Sequence, residues 1–423
     1  MPTTLIRNHI AGLPVAELAG RFGTPFYVYD AAKIAERIAD LAAFDVIRYA
    51  QKACSNLAIL DFIRRKGVVV DAVSEGEVRR ALAACYSPHG DPPPIVYTAD
   101  IFDRASMELV VELGLHVNCG SPDMIEQFGR RMPGAKITLR INPGFGHGHS
   151  QKTNTGGEQS KHGIWHEQLS ECLRLADFHG LQISGLHMHI GSGTDLEHLR
   201  QVCGAMERAA ADVGRSLTTI SAGGGLPVPY RESQSYVDLK AYFGLWDAVR
   251  RRLEDRFGHK LSLEIEPGRY LVAESGYLVS EIRAVKRMGS NMFYLLDAGF
   301  NNLARPILYG AYHPMSIAPA SGSEASGDRP MHDVVVGGPL CESGDIFTQE
   351  EGGIVCTRSL PAAEVGEFLV LEIAGAYGFV MGSNYNSKPL AAEVLIDRGE
   401  AHLVRSRQTF EDLIRGERVL GDS

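Results

Sequence analysis

The chain has little of what would mark a secreted, membrane-bound or nucleic-acid-binding protein. No run of lysine and arginine stands out, and 42 basic residues against 51 acidic ones leave a net charge of −9. Acids and bases are interspersed, so the plain reading of the charges is a solvated surface, and no nucleic-acid face is expected. No stretch approaches the roughly 20 apolar residues that a membrane helix needs, so no membrane partner is expected. The opening segment MPTTLIRNHIAGLPVAELAG lacks the apolar core of a signal peptide. Cysteine is scarce too. The seven residues Cys54, Cys85, Cys119, Cys172, Cys203, Cys341 and Cys356 are odd in number and scattered, and no CxxC pair occurs. Neither a disulfide framework nor a structural zinc site is expected, and most of these thiols should be small buried residues. Together these absences point to a cytoplasmic protein.

What is present is ordinary in bulk and informative in order. At 423 residues the chain is too long for one small core, so two domains or a barrel with an extra domain are expected. The first two-thirds alternates short β-branched or aromatic runs with longer Ala/Leu/Arg stretches of helical spacing. The strand-like runs are Ile47–Ala53, Val68–Val73, Ile95–Ala99, His116–Gly120, Lys136–Asn142, Ile183–Ile190, Thr219–Gly225 and Leu261–Gly268. Helices are expected between them, at Leu57–Lys66, Gly76–Ala84 and Ser121–Arg130 among others. Eight strand-then-helix units are the pattern of a (β/α)8 TIM barrel, with a doubly wound open sheet as the competing architecture. After Gly276 the texture changes. Tyr277–Lys286, Met292–Asp297, Asp333–Gly338, Glu367–Ile373 and Ala392–Ile396 read as strands joined by turns, an antiparallel β domain. Thr409–Glu417 reads as a final helix and Ala318–Pro330 as a surface loop.

In a barrel enzyme the chemistry sits at the carboxyl ends of the strands. The first strand ends at Lys52, in a small, apolar setting; the second ends at Asp71 and runs into Ser74, Glu75 and Glu77. His187 and His189 share one face of the sixth strand, since side chains alternate, and Gly191, Ser192 and Gly193 follow. The seventh ends in Gly223, Gly224 and Gly225, the eighth in Glu266, Pro267, Gly268 and Arg269. A triple glycine lets backbone N–H groups approach an anion, and the loops after strands seven and eight of such barrels often hold a phosphate. A lysine buried at a strand end is biased towards the neutral amine that condenses with an aldehyde. A carboxylate at the opposite rim would keep a pyridine nitrogen protonated. Lysine, phosphate cradle and carboxylate together suggest pyridoxal 5′-phosphate (PLP). Each part alone has a plainer reading: a surface lysine, a turn, a core histidine. Their joint placement at one end of one barrel favours a site. The segment Gly144–Trp165 carries His147, His149 and His162, with His166 just beyond, but matches no zinc spacing, so an active-site loop is expected and no metal.

Seven segments, YAQKACSN, HMHIGSG, SAGGGLPVPY, EIEPGR, DAGFNNLARPILYG, GPLCESGD and AGAYGFVMGSNYNSKP, span Tyr49 to Pro389. On them the chain resembles the bacterial diaminopimelate decarboxylases, PLP enzymes of the alanine-racemase-like fold (fold type III). The resemblance implies decarboxylation of meso-2,6-diaminopimelate to L-lysine and CO2, the last step of lysine biosynthesis. It implies that Lys52 carries the cofactor and that Asp71 belongs to the cofactor site. His189 lies on the ring, and Ser192, Gly224, Gly225, Gly268 and Arg269 hold the phosphate. Glu266 pairs with the ring nitrogen. Arg269, Arg305 and Tyr309 bind substrate carboxylates, Glu342 meets the distal amino group, Cys341 returns the proton, and Tyr377 touches cofactor and substrate. It further implies a homodimer in which the CESGD segment enters the partner's site, and a domain cut in which residues 30–276 form the barrel while 1–29 join 277–423. Gly382 and Lys388 stand where relatives commonly have serine and arginine, and lysine cannot reproduce a bidentate arginine contact. Rival readings are an ornithine or arginine decarboxylase, against which Glu342 and Arg305 speak, and a racemase, against which Glu266 speaks. A non-catalytic PLP carrier, which would lack the β domain, and a metal-dependent hydrolase are the others.

Overall fold

A computed structural model of the chain describes residues 5–146, 156–189, 195–320 and 329–420. The chain divides into two compact units: Ala35–Val228 with Tyr236–Leu271, and Met1–Ile34 with Pro229–Ser235 and Val272–Ser423.

The first unit is a closed barrel. Its strands are Val46–Ala50, Val69–Ala72, Ile95–Ala99, His116–Cys119, Lys136–Asn142, Gln182–His187, Thr219–Ser221 and Ser262–Ile265. Each pairs in parallel with the next, and the last returns to the first through Glu264↔Val46 and Ile265↔Ile47. The ring excludes the open-sheet alternative. The strands are short and buried almost throughout, as expected where helices cover one face and the barrel core the other. Side-chain caps start several of the barrel helices. Asn56, Ser74, Asp103, Ser121 and Asp238 each accept a backbone N–H from the first turn, and each such cap contributes about 1 kcal/mol.

Several strands stop earlier than expected. The seventh ends at Ser221 rather than Gly225, because Gly223 and Gly225 turn to φ +63° and +98° and leave the extended region. The sixth ends at His187 rather than Ile190.

The other unit is built on a seven-strand sheet in the order Arg358–Pro361, Met331–Gly337, Asn291–Leu296, Gly276–Met288, Phe26–Asp30, Ala392–Asp397 and Glu400–Arg405. Met315–Ala318 pairs with Phe368–Leu371, which pairs with Gly276–Met288. The expected β domain is present and mainly antiparallel, with two parallel pairings. Asn291–Leu296 runs parallel to Met331–Gly337, and Phe26–Asp30 parallel to Ala392–Asp397. Ile10, Val15, Leu18, Phe26, Val28, Val279, Val370, Val394 and Ile396 share one core cluster. The expected last helix shortens to Phe410–Leu413, held by a capping box from Thr409 and Asp412. Most of the expected loop Ala318–Pro330 lies outside the described residues.

None of the seven cysteines forms a disulfide; four of them, Cys54, Cys119, Cys172 and Cys203, are buried, and Cys85 and Cys341 are exposed. Among the described residues no helix is long and apolar enough to cross a membrane.

Candidate active site

In the barrel unit Lys52 sits on a 3-10 turn, Gln51–Ala53, directly after the first strand. Gln51 and Ala53 face inwards and are fully buried, while Lys52 is exposed. The expectation of a buried lysine is therefore corrected. The turn carries the amine past the strand end to the open rim and leaves its neighbours to fill the core. Asp71 lies within the second strand and is buried. His189 follows the sixth strand by two residues and Glu266 the eighth by one. Gly268 is buried in the turn that leads to Arg269, the half-exposed first residue of a one-turn helix. Ser192 lies outside the described residues, as does the loop His147–Thr155. His162, at its far side, is tied to Asp100 (Nδ1 to Oδ2, 2.7 Å).

Charge is layered inside the barrel. In the lower layer Arg48 and Glu264 meet through two contacts of 3.2 Å. Burial works against the Arg48 cation, but Glu264, with Glu266 and Asp71 farther off, outweighs it and raises its pKa. Glu266 stands one layer up, two residues on and hence on the same face of its strand. Its carboxylate accepts from Ser221 Oγ at 2.8 Å and lies 2.9 Å from His187 Nε2. Burial opposes its charge. His187, the Ser221 hydroxyl and Arg48 prevail, and the carboxyl is held at about 2. Asp71 goes the other way: burial, then the nearby Glu266 charge, push it up to about 6 against Lys52 and Arg48. Burial, with the charges of Arg140, Lys52 and His187, drives His189 well below the ordinary imidazole range, so it is neutral at pH 7. One carboxylate fixed ionised beside another that holds a proton more readily is the pattern of a site with divided acid–base tasks.

The residues at this rim fit PLP. Asp71 Oδ1, Asn118 Oδ1 and His187 Nδ1 are buried at the strand ends without a hydrogen-bond partner. Leaving a buried polar atom unsatisfied costs on the order of 1–3 kcal/mol, so such a ring of atoms calls for a polar guest. The glycine turn supplies the matching cradle. A Cβ at Gly224 would stand 2.5 Å from the Glu266 carbonyl oxygen, and one at Gly223 2.4 Å from that of Met188. Only bare backbone fits there, and bare backbone presents N–H groups to an anion.

The remaining expected residues belong to the other unit. Arg305 and Tyr309 open and close a one-turn helix, four residues apart and on one face. Arg305 is buried; Tyr309 is partly exposed. Cys341 and Glu342 are exposed in the turn after Met331–Gly337. Asp345, 4% exposed, shapes that turn by accepting from Leu340 N (2.8 Å) and Phe300 N (2.7 Å). Gly338 makes room for it, since a Cβ there would fall 2.3 Å from Asp345 Oδ2. Asn386, at φ +54°, accepts the Cys341 N–H through Oδ1 at 2.8 Å. Burial raises the pKa of Asp345, and the Leu340 and Phe300 N–H bonds, with a smaller contribution from the charge of Lys388, oppose that shift. Tyr377 is held at φ +57°, in the left-handed region where a bulky residue is strained, and such strain gathers at functional sites. Asp345 and Asn386 lie inside the quoted motifs GPLCESGD and SNYNS, yet sequence reasoning gave them no task. Ser221 and Arg140 were not singled out at all, because a polar residue within an apolar run looks like any core polar residue until its partner is known.

Comparison with known proteins places this arrangement. Residues 31–273 match the family model described as pyridoxal-dependent decarboxylase, pyridoxal binding domain. The chain is 55% identical to the diaminopimelate decarboxylase of Escherichia coli K12 over 94% of each chain. A crystal structure of diaminopimelate decarboxylase matches it with a TM-score of 0.94 at 53% identity, covering 98% of both chains. The Helicobacter pylori diaminopimelate decarboxylase, solved in complex with L-lysine, matches with a TM-score of 0.81 at 30% identity, over 94% of this chain and 98% of that one. The closed barrel, the mixed-sheet unit and a rim built for PLP thus agree with the sequence relatives, and the chain belongs to the diaminopimelate decarboxylase family of PLP-dependent decarboxylases.

Proposed function

We propose an assignment of roles in a reaction that family membership fixes: PLP-dependent decarboxylation of meso-2,6-diaminopimelate to L-lysine and CO2. The observation that carries it is Glu266, a buried carboxylate kept ionised by His187 and Ser221. PLP, held covalently by Lys52, supplies the electron sink for the pair that CO2 leaves behind. With PLP bound, Glu266 would hold the proton on the ring nitrogen, Asp71 would belong to the same site, and neutral His189 would offer a flat face without competing for that proton. The backbone of Gly224, Gly225 and Gly268, with Ser192 and Arg269, binds the phosphate. Arg269, Arg305 and Tyr309 hold carboxylates, Glu342 receives the distal ammonium, and Tyr377 contacts cofactor and substrate. Cys341 Sγ–H delivers the proton to the carbon that lost CO2. The working domains are residues 30–276 and residues 1–29 with 277–423. The enzyme acts in the cytoplasm, which suits seven cysteines without a disulfide, and as a homodimer that shares its sites.

The test is an assay of the purified protein with PLP and meso-diaminopimelate, following CO2 and lysine, with ornithine and arginine in parallel. Lysine from diaminopimelate alone is expected. Turnover of ornithine or arginine instead would overturn the roles given to Arg305 and Glu342.

A further inference from the structure

Arg305 is placed by a neighbour whose protonation the surroundings dictate. His313 is buried, at 1% exposure. Its Nδ1 stands 2.9 Å from the carbonyl oxygen of Glu372, and its Nε2 stands 2.8 Å from Arg305 Nη1. A carbonyl oxygen can only accept, so Nδ1 carries the hydrogen. A guanidinium can only donate, so Nε2 must offer its lone pair. Both contacts are satisfied together only by the neutral Nδ1–H tautomer. The Tyr230 ring adds a third wall. Its centroid lies 4.9 Å from the Arg305 guanidinium carbon, and the ring meets His313 edge-on at 5.5 Å and 81°. The Glu372 carboxylate is engaged elsewhere, by Arg7 Nε at 2.7 Å and Ser316 Oγ at 2.8 Å.

We infer that His313 is a positioning residue for substrate selection, which fixes the Arg305 fork for the second carboxylate of the substrate, with Tyr230 as its stacking face. The inference rests on the reading of Arg305 as a carboxylate-binding residue. A neutral imidazole suits this task. It takes up one of the guanidinium donors and sets the plane, but adds no negative charge to compete with an anionic ligand. A carboxylate in its place would orient Arg305 equally well and cancel its charge.

The test uses the PLP-loaded enzyme with meso-diaminopimelate and measures kcat and KM for His313→Leu, His313→Gln, Tyr230→Leu, Arg305→Ala and the Arg305→Ala/His313→Leu double variant. A lost hydrogen bond to a charged group predicts KM raised roughly 10- to 100-fold in His313→Leu with kcat within about twofold. His313→Gln keeps a donor and an acceptor and should recover most of that loss. Tyr230→Leu should raise KM by a smaller factor; being partly exposed, it remains informative if His313→Leu does not fold. In the Arg305→Ala background, removing His313 should add nothing, the mark of two residues acting as one. A fall in kcat at unchanged KM, equal effects of His313→Leu in both backgrounds, or a Gln variant no better than Leu would each overturn the role of His313. An Arg305→Ala enzyme with unchanged KM would instead overturn the reading of Arg305 itself.

Discussion

Cys341 stands exposed with its backbone N–H held by Asn386, so the thiol projects from a fixed point on the chain. In the proposed role of proton donor it should contribute what positioned acids generally do: Cys341→Ala is then expected to slow turnover by ~10²–10⁴-fold while PLP stays bound. Steady-state rates and the cofactor absorbance of the purified variant check this, and loss of PLP would point to a structural role. Glu77 yields a second residue-scale prediction. Burial, helped by the charge of Asp71 and opposed by Lys52 and a bond from Val73 N–H, pushes its carboxyl up to about 7. The folded state therefore binds this proton more tightly than the unfolded chain, whose glutamate titrates near ~4.5. The stabilisation is full below pH ~4.5 and is lost as pH rises through 7. Melting curves of the PLP-free protein should show the wild type losing stability relative to Glu77→Gln across that window and levelling off above it. A constant difference would refute the shift. At this scale the sequence located Lys52 and Glu266 at the barrel rim, because their residue types announce a chemistry, but not the exposure of Lys52. It placed His187 on the site's strand without giving it a partner and was silent about Asp345 and His313, since these tasks depend on a partner in the folded chain.

Between residue and fold, the turn that carries Cys341 and Glu342 is an element without regular structure, and Asp345 substitutes for the missing ladder bonds by accepting two backbone N–H groups. Bonds to a charged group are worth about 1.5–3 kcal/mol each. Asp345→Ala should therefore destabilise the protein by ~3 kcal/mol or more in denaturant titration and lower activity. A variant as stable as the wild type would show that the turn holds itself. Elements were the most legible scale in the barrel, where β-branched runs and helical stretches alternate and each strand seeks its sequential neighbour. Their ends were less so. The glycines at the seventh strand extend the strand-like texture in sequence, but positive φ at Gly223 and Gly225 ends the strand at Ser221 and opens the cradle. In the other unit local pattern indicated Met292–Asp297 as a strand but not its parallel partner, and did not indicate the strand Phe26–Asp30 at all.

For the molecule as a whole, the proposed homodimer with shared sites makes a quantitative demand. Lys52→Ala and Cys341→Ala should each be nearly inactive alone. Mixed under exchange, they should form hybrids with one intact site and recover roughly a quarter of wild-type activity, if subunits pair at random and closed two-fold symmetry puts each site across the interface. No recovery, with exchange demonstrated by mass, would mean that each subunit works on its own residues. The mixed sheet carries a further consequence. One of its interior strands, Phe26–Asp30, is among the earliest parts of the chain to be made, yet Tyr27 pairs with Leu278 on one side and Glu393 on the other. The barrel's strands, by contrast, find neighbours that follow closely in synthesis. During translation this segment, FYVYD, leaves the ribosome as an apolar edge long before either neighbour exists, the kind of exposed strand that invites association with other chains. Chaperone demand and yield in overexpression should therefore respond more to substitutions in these five residues than to equally conservative changes in the barrel.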